Sequence, residues 1–206
     1  MVHDFEDGAS GWSHSGQNDL WALTDNRSHS GTMSWYSGDT SSWEYHNNME
    51  AQLVSPEFVA GVDTELRFWC WYELPIYHED GVYIELLSEG APVDTLDFIG
   101  SGGALNHLGS IGNDWLEYSY QLGRTPGETL SVRFRFRTDE SDVAEGVYID
   151  DVKVTSAGVP TDTGVHDVPE VAAPAKLHQN RPNPFTKSTT IGFSMRIVSR
   201  QMRSLA

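Results

Sequence analysis

An all-β jelly-roll β-sandwich of two antiparallel sheets, with a short C-terminal appendage, is the fold this sequence predicts. Three observations carry that expectation. Apolar and polar residues alternate with period two over several short stretches. Turn-forming clusters such as Ser88-Glu89-Gly90, Gly100-Ser101-Gly102-Gly103 and Thr125-Pro126-Gly127-Glu128 separate those stretches. No segment of useful length carries a helical period, and many short strands divided by Gly and Asp turns argue for two stacked sheets.

The clearest strand is expected over 130–137. There Leu130, Val132, Phe134 and Phe136 face the core, while Ser131, Arg133, Arg135 and Arg137 face water. Further strands are expected over 53–59, 65–74, 81–87, 115–122 and 146–155. The 206 residues suit one domain and a tail, with 1–156 as the sandwich. Residues 157–173 are rich in Gly, Pro and Thr without periodicity and read as a linker, and 174–206 form the C-terminal segment.

Charge divides the chain in the same way. Residues 1–173 hold all 30 acids against seven Lys or Arg, a formal −23, whereas 174–206 hold six Lys or Arg and no acid. A body this acidic repels nucleic acid and anionic lipid, so neither is expected as a partner. It suits a hard cation that takes oxygen ligands, or serves simply as a solubilising surface. The single cysteine, Cys70, lies in the apolar run 66–72, which excludes an internal disulfide and a Cys-based zinc site and points to a buried thiol. No signal peptide and no apolar run of membrane-spanning length is present, so no membrane insertion is expected. The opening residues 1–5 read as a fragment boundary.

A catalytic centre is not expected. His78-Glu79-Asp80-Gly81-Val82 lacks the second His of a zinc-peptidase helix and sits in a turn. There is no Gly-x-Ser-x-Gly elbow, no phosphate-binding glycine loop and no EF-hand spacing, and nothing marks out one pair among the many acids for glycoside hydrolysis.

On the closing strand, alternation places Tyr148, Asp150, Val152 and Val154 on one face. The two valines suit the core, so Asp150 is expected to turn inward. An inward carboxylate costs several kcal/mol unless it is paired or metal-bound. No Lys or Arg adjoins it on that face; calcium is one partner, and backbone N–H groups of a turn are the other.

A run of short motifs has a shared order: Phe5-Glu6-Asp7-Gly8, Gly11-Trp12, Leu20-Trp21, Ser30-Gly31, Trp35-Tyr36-Ser37-Gly38, Leu53-Val54-Ser55-Pro56, Asp80-Gly81-Val82-Tyr83-Ile84-Glu85, Arg133-Phe134-Arg135-Phe136 and Gly146-Val147-Tyr148-Ile149-Asp150-Asp151-Val152. It resembles the jelly-roll modules that follow the catalytic domain in the immune inhibitor A family of secreted metallopeptidases, and is similar to cleaved-adhesin and MAM-like modules. The resemblance covers about 3–156. It implies a calcium site where the first and last strands meet, with Glu6 and Asp150 as ligands and Asp151 and Asp25 as further candidates. It also implies a non-catalytic accessory or adhesive role, secreted or at the cell surface; a monomer is expected.

The tail motif Leu177-His178-Gln179-Asn180-Arg181-Pro182-Asn183-Pro184-Phe185, followed by 188–195, resembles the C-terminal sorting domains read by bacterial export machinery of type IX. The sequence departs from that pattern after Met195, and one strand is expected around 190–195. Finally, Trp12, Trp21, Trp35, Tyr36, Trp43 and Tyr45 cluster among Ser, Gly, His and Asn. Either they pack the interior, or Trp21, Trp35, Tyr36 and Trp43 offer rings to a surface glycan, the alternative to a protein ligand.

Overall fold

The computed structural model describes residues 1–75, 79–100, 114–158, 176–177 and 193–194. The chain divides into two units, Met1–Thr161 and Asp162–Ala206. In the first unit the strands are β1 (Val2–His3), β2 (Ser13–Gln17), β3 (Trp21–Thr24), β4 (Ser34–Ser37), β5 (Glu50–Val54), β6 (Phe58–Val59), β7 (Val62–Glu73), β8 (Gly81–Ser88), β9 (Ala91–Gly100), β10 (Leu116–Gln121), β11 (Thr129–Arg137) and β12 (Gly146–Ala157). In the second, β13 (Lys176–Leu177) pairs antiparallel with β14 (Phe193–Ser194), within the stretch where one strand is expected. The rest of the expected linker and sorting segment lies outside the described residues.

The first unit is an all-β sandwich of two six-stranded antiparallel sheets. The first sheet runs β10-β7-β12-β4-β3, with β1 also paired to β12. The second runs β2-β5-β11-β8-β9, with β6 also paired to β11. Leu53, Val82, Ile84, Val132, Phe134 and Phe136 of the second sheet meet Leu66, Phe68, Cys70, Val147 and Ile149 of the first, all buried. Ring contacts tie the layers together: Phe68 meets Phe134 edge-on at 5.0 Å, and Trp12 stacks on Phe134 at 6.3 Å. Cys70 is free and buried in this core, and burial pushes its thiol pKa up.

All six expected strands are present, with one division. The stretch expected over 53–59 is broken after Val54, where Ser55-Pro56 intervenes and proline has no N–H to give a ladder. Ser55 mends the break: its N–H donates to the Val132 carbonyl, and its hydroxyl accepts from Val132 N–H. Ser131, expected in water, is buried.

One strand controls everything that follows. β12 keeps β7 along one side for most of its length, but changes partner on the other. Residues 147–149 pair with β4, and Lys153 and Val152 pair with β1. Between them Asp150 and Asp151 have neither neighbour on that side, the register against β7 slips, and Asp151 takes a left-handed φ of 48°. This is a β-bulge; Asp tolerates the conformation better than most side chains.

Candidate functional site

The bulge reverses the facing of β12. Before it, Val147 and Ile149 enter the core and Tyr148 points to the outer side of the first sheet; after it, Val152 and Val154 enter the core. Asp150 therefore shares the outer side with Tyr148, and with Trp69, its register partner on β7. The expectation that Asp150 lies on the core face with Val152 and Val154 is thus corrected. An extra residue at 150–151 breaks the alternation that supported it. Asp150 is nevertheless fully buried, because a loop covers it from outside.

That loop is 25–33, the connection from β3 to β4. Three carboxylates grip its residues 29–33. Asp150 Oδ2 accepts from the N–H groups of His29 (2.8 Å) and Ser30 (3.2 Å), while its Oδ1 accepts from Asp151 N–H (2.7 Å). Asp151 meets His29 Nδ1 at 2.6 Å and accepts from the Ser30 hydroxyl at 2.8 Å. Glu6 Oε1 accepts from Thr32 N–H (2.8 Å) and Met33 N–H (2.7 Å), and its Oε2 from the Thr32 hydroxyl (2.9 Å). Gly31 is required between them. Its φ is +58°, and a Cβ there would lie 2.3 Å from the Glu6 carboxyl carbon.

Opening and closing strands do meet: β1 pairs with β12, and the Met1 amino group donates to the Val154 carbonyl at 3.0 Å. The structure brings Glu6, Asp150 and Asp151 onto one loop. Asp25 is exposed and takes no part in these bonds. Burial pushes the Asp150 pKa up to about 6, with the three N–H donors pulling the other way. N–H donors from Met33 and Thr32, and the Thr32 hydroxyl, hold the Glu6 pKa low. Among the described residues no group of three or more His, Cys, Asp and Glu side chains is placed to hold a metal ion. The donor set is oxygen-rich, as calcium requires, yet its carboxylates close on loop N–H and O–H groups rather than on one point.

Beneath the loop lies a second apolar cluster, on the outer side of the first sheet. Tyr36, Trp71 and Tyr148 are buried there, with half-buried Trp43 and Trp115 against them. The rings form a ribbon across β4, β12 and β7. Ring centres are 5.6 Å apart for Trp43–Tyr36, 4.4 Å for Tyr36–Tyr148, 6.4 Å for Tyr148–Trp115 and 6.1 Å for Trp115–His29. His29 stacks flat on Trp69 at 3.7 Å.

Arg27 lies 4.0 Å over the Trp71 ring, and its guanidinium grips Glu145 through two bonds of 2.6 and 2.8 Å. The Tyr148 hydroxyl donates to the same carboxylate at 2.8 Å and accepts from Asn26 at 2.8 Å. Burial pushes the Glu145 pKa up, but the Arg27 and Tyr148 hydrogen bonds and the Arg27 charge outweigh it and hold it below the ordinary value.

The aromatic residues expected as a ligand platform are placed differently from one another. Trp21 and Trp35 are buried on the core side and Tyr36 is fully buried under the loop, so packing takes up their ring faces. Trp43 alone of the four keeps partial exposure. Trp12 and Tyr45 are also buried, the Tyr45 hydroxyl donating to Asp80. Sequence reasoning missed Trp69, Trp71, Trp115 and Tyr148 as one surface, together with Arg27, His29 and Glu145. A signal was present: in Trp69-Cys70-Trp71-Tyr72 both faces of the strand are apolar, the mark of a strand covered on both sides.

No family model matches the chain. It is 28% identical over 134 residues to the pre-pro-metalloprotease PrtV of Vibrio cholerae, covering 62% of this chain and 14% of that protein. It is 30% identical over 164 residues to bacillopeptidase F of Bacillus subtilis, covering 75% of this chain and 11% of that one. The chain thus spans a small part of the length of these relatives. In fold it is similar to the K3 cleaved adhesin domain of Lys-gingipain from Porphyromonas gingivalis, with a TM-score of 0.54, 18% identity and coverage of 76% of this chain and 98% of that domain. It is also similar to TmCBM61, solved in complex with β-1,4-galactotriose, with a TM-score of 0.51, 14% identity and coverage of 75% and 94%. Both likenesses concern the β-sandwich fold. Among the described residues no helix is long and apolar enough to cross a membrane.

Proposed function

We propose that this chain is a non-catalytic accessory module of a secreted protein, one that binds or positions rather than cleaves. One observation carries the reading: sequence similarity to two long proteases extends over 62% and 75% of this chain but only 14% and 11% of theirs. What the chain shares with them is a module-sized piece. The acids at the strand junction fit a structural role, since each is spent on holding a loop. Assay of the purified chain against casein and soluble polysaccharides tests this. No turnover is expected, and hydrolysis proportional to the amount of chain overturns the reading.

A calcium ion at the strand junction is a finer part of the proposal. The observation that favours it is Asp150, whose buried carboxylate accepts three backbone N–H bonds from groups that carry no charge. When bound, the ion would supply that charge, with Asp150, Asp151 and Glu6 as the acids available to it. Chelator then lowers the melting temperature, and Asp150→Asn removes the effect. A melt indifferent to chelator leaves the hydrogen bonds as the only closure. Export through 174–206 is a further proposal, resting on the motif at 177–185. Deleting 174–206 in a host with a type IX system should leave the protein inside the cell, and unchanged export would end that idea.

A further inference from the structure

The geometry points to the outer face of the first sheet as a docking surface for a neutral glycan, with the half-buried indoles of Trp43 and Trp115 as its two stacking rings. This rests on the reading of the chain as a binding module and gives that module a ligand class and an address.

Both rings are held at the ends of one ribbon. Trp43 packs on Tyr36 at 5.6 Å and Trp115 on Tyr148 at 6.4 Å, while Tyr36 and Tyr148 stack on each other at 4.4 Å between them. The two central rings are fully buried and cannot meet a ligand, but they fix the outer pair. Trp43 is held in place at a cost. Its backbone takes a left-handed φ of 58°, uncommon for a bulky residue, and its N–H is tied to the Asp39 carbonyl at 2.8 Å. A ring fixed before binding loses little entropy when a ligand arrives.

Polar groups line the ribbon and keep access to solvent. The Arg27 side chain is 39% exposed and that of Glu145 14%. Asn26, exposed beside them, donates to the Tyr148 hydroxyl. Such groups can give and accept hydrogen bonds with hydroxyls above an indole face.

Charge selects among ligands. A formal charge of −17 over the chain disfavours an anionic polymer. Of the carboxylates that touch the ribbon's loop, Glu145 is held in two bonds by Arg27 and Asp151 by His29 and Ser30, so neither is open to a cationic peptide. A neutral polyhydroxylated chain needs neither sign.

Affinity electrophoresis of the full chain through gels containing soluble xylan, β-1,4-galactan or polylysine tests the assignment. Retardation by a neutral polysaccharide is expected. Trp43→Ala and Trp115→Ala should each weaken it about tenfold or more while circular dichroism shows the chain still folded at the assay temperature. Tyr83→Ala, on the opposite sheet, should leave it intact. No retardation by either polysaccharide overturns the proposal, as does retardation that survives both tryptophan substitutions. Retention by polylysine alone, lost on Trp43→Ala, assigns the surface to a cationic peptide and also overturns it. None of these results bears on whether the chain hydrolyses casein, so the module reading stands or falls separately.

Discussion

On the outer face of the second sheet, Arg133 and Arg135 close over Glu85; on the outer face of the first, a loop closes over rings. Glu85, with 5% of its side chain exposed, meets Arg133 at 2.7 Å and Arg135 at 3.0 Å, and Arg135 reaches on to Glu50 at 2.7 Å. Burial pushes the Glu85 pKa up, yet its two arginines hold it low. Arg135 also lies 4.3 Å over Tyr83. That face is finished by long side chains from its own strands. The first sheet instead recruits residues distant in sequence: Arg27 and His29 from the loop lie over Trp71 and Trp69, and carboxylates from both ends of the unit secure that loop. The lesson is one of dependence. An ion-pair layer built within a sheet can lose one member and keep the rest. A face covered by a loop depends on every attachment of that loop.

The sharpest way to break this comparison is to remove a ring from each face. Tyr148→Ala should cost about 4 kcal/mol in urea unfolding, the range for deleting a fully buried aromatic, whereas Tyr83→Ala, half-buried on the other face, should cost about 1 kcal/mol. Equal losses would mean the loop covers nothing of consequence.

Removing one arginine from each face comes next. Arg27→Ala leaves Glu145, 14% exposed, without its guanidinium, and strips Trp71 of its cover. A loss of about 2 kcal/mol is expected, reduced from that of a fully buried pair because Arg27 is partly solvated. Arg135→Ala leaves Glu85 paired with Arg133, and about 1 kcal/mol is expected. The reverse ranking would contradict the dependence of the loop-covered face.

The last comparison separates hydrogen bonds from an ion at Asp150. Its folded pKa of about 6 lies above the unfolded value, so the folded chain holds the extra proton between the two. Its contribution is then fully present below about pH 4 and is lost as pH rises through about 6, on the order of 3 kcal/mol at most. Relative to Asp150→Asn, the natural chain should lose stability across that window. Calcium would hold the carboxylate ionised and reverse the sign when added.

The sandwich itself was legible because β7, β8, β10, β11 and β12 are long runs bounded by turn residues, with β11 the clearest alternation. The first four strands were not, since Ser13–Gln17 is wholly exposed and polar, and Trp21–Thr24 and Ser34–Ser37 are too short to show a period. At the junction, the closeness of Glu6 to the Asp150–Asp151 pair came from resemblance, whereas the facing of Asp150 was read from alternation and came out reversed. A bulge at two ordinary aspartates leaves no periodic trace. The ring ribbon escaped notice because its members are drawn from β4, β7, β12 and two loops, and only the fold places them side by side.

The pairing of β1 with β12 also has a mechanical side. Residue 1 lies against Val154, and residue 157 follows three positions later, so the polypeptide enters and leaves the sandwich at one end. Tension applied between those points loads the β1 ladder at its open end. Its two residue pairs are the contacts such a pull meets first on that side of β12. Such a unit hangs beside the line of pull as a pendant rather than serving as a link in it.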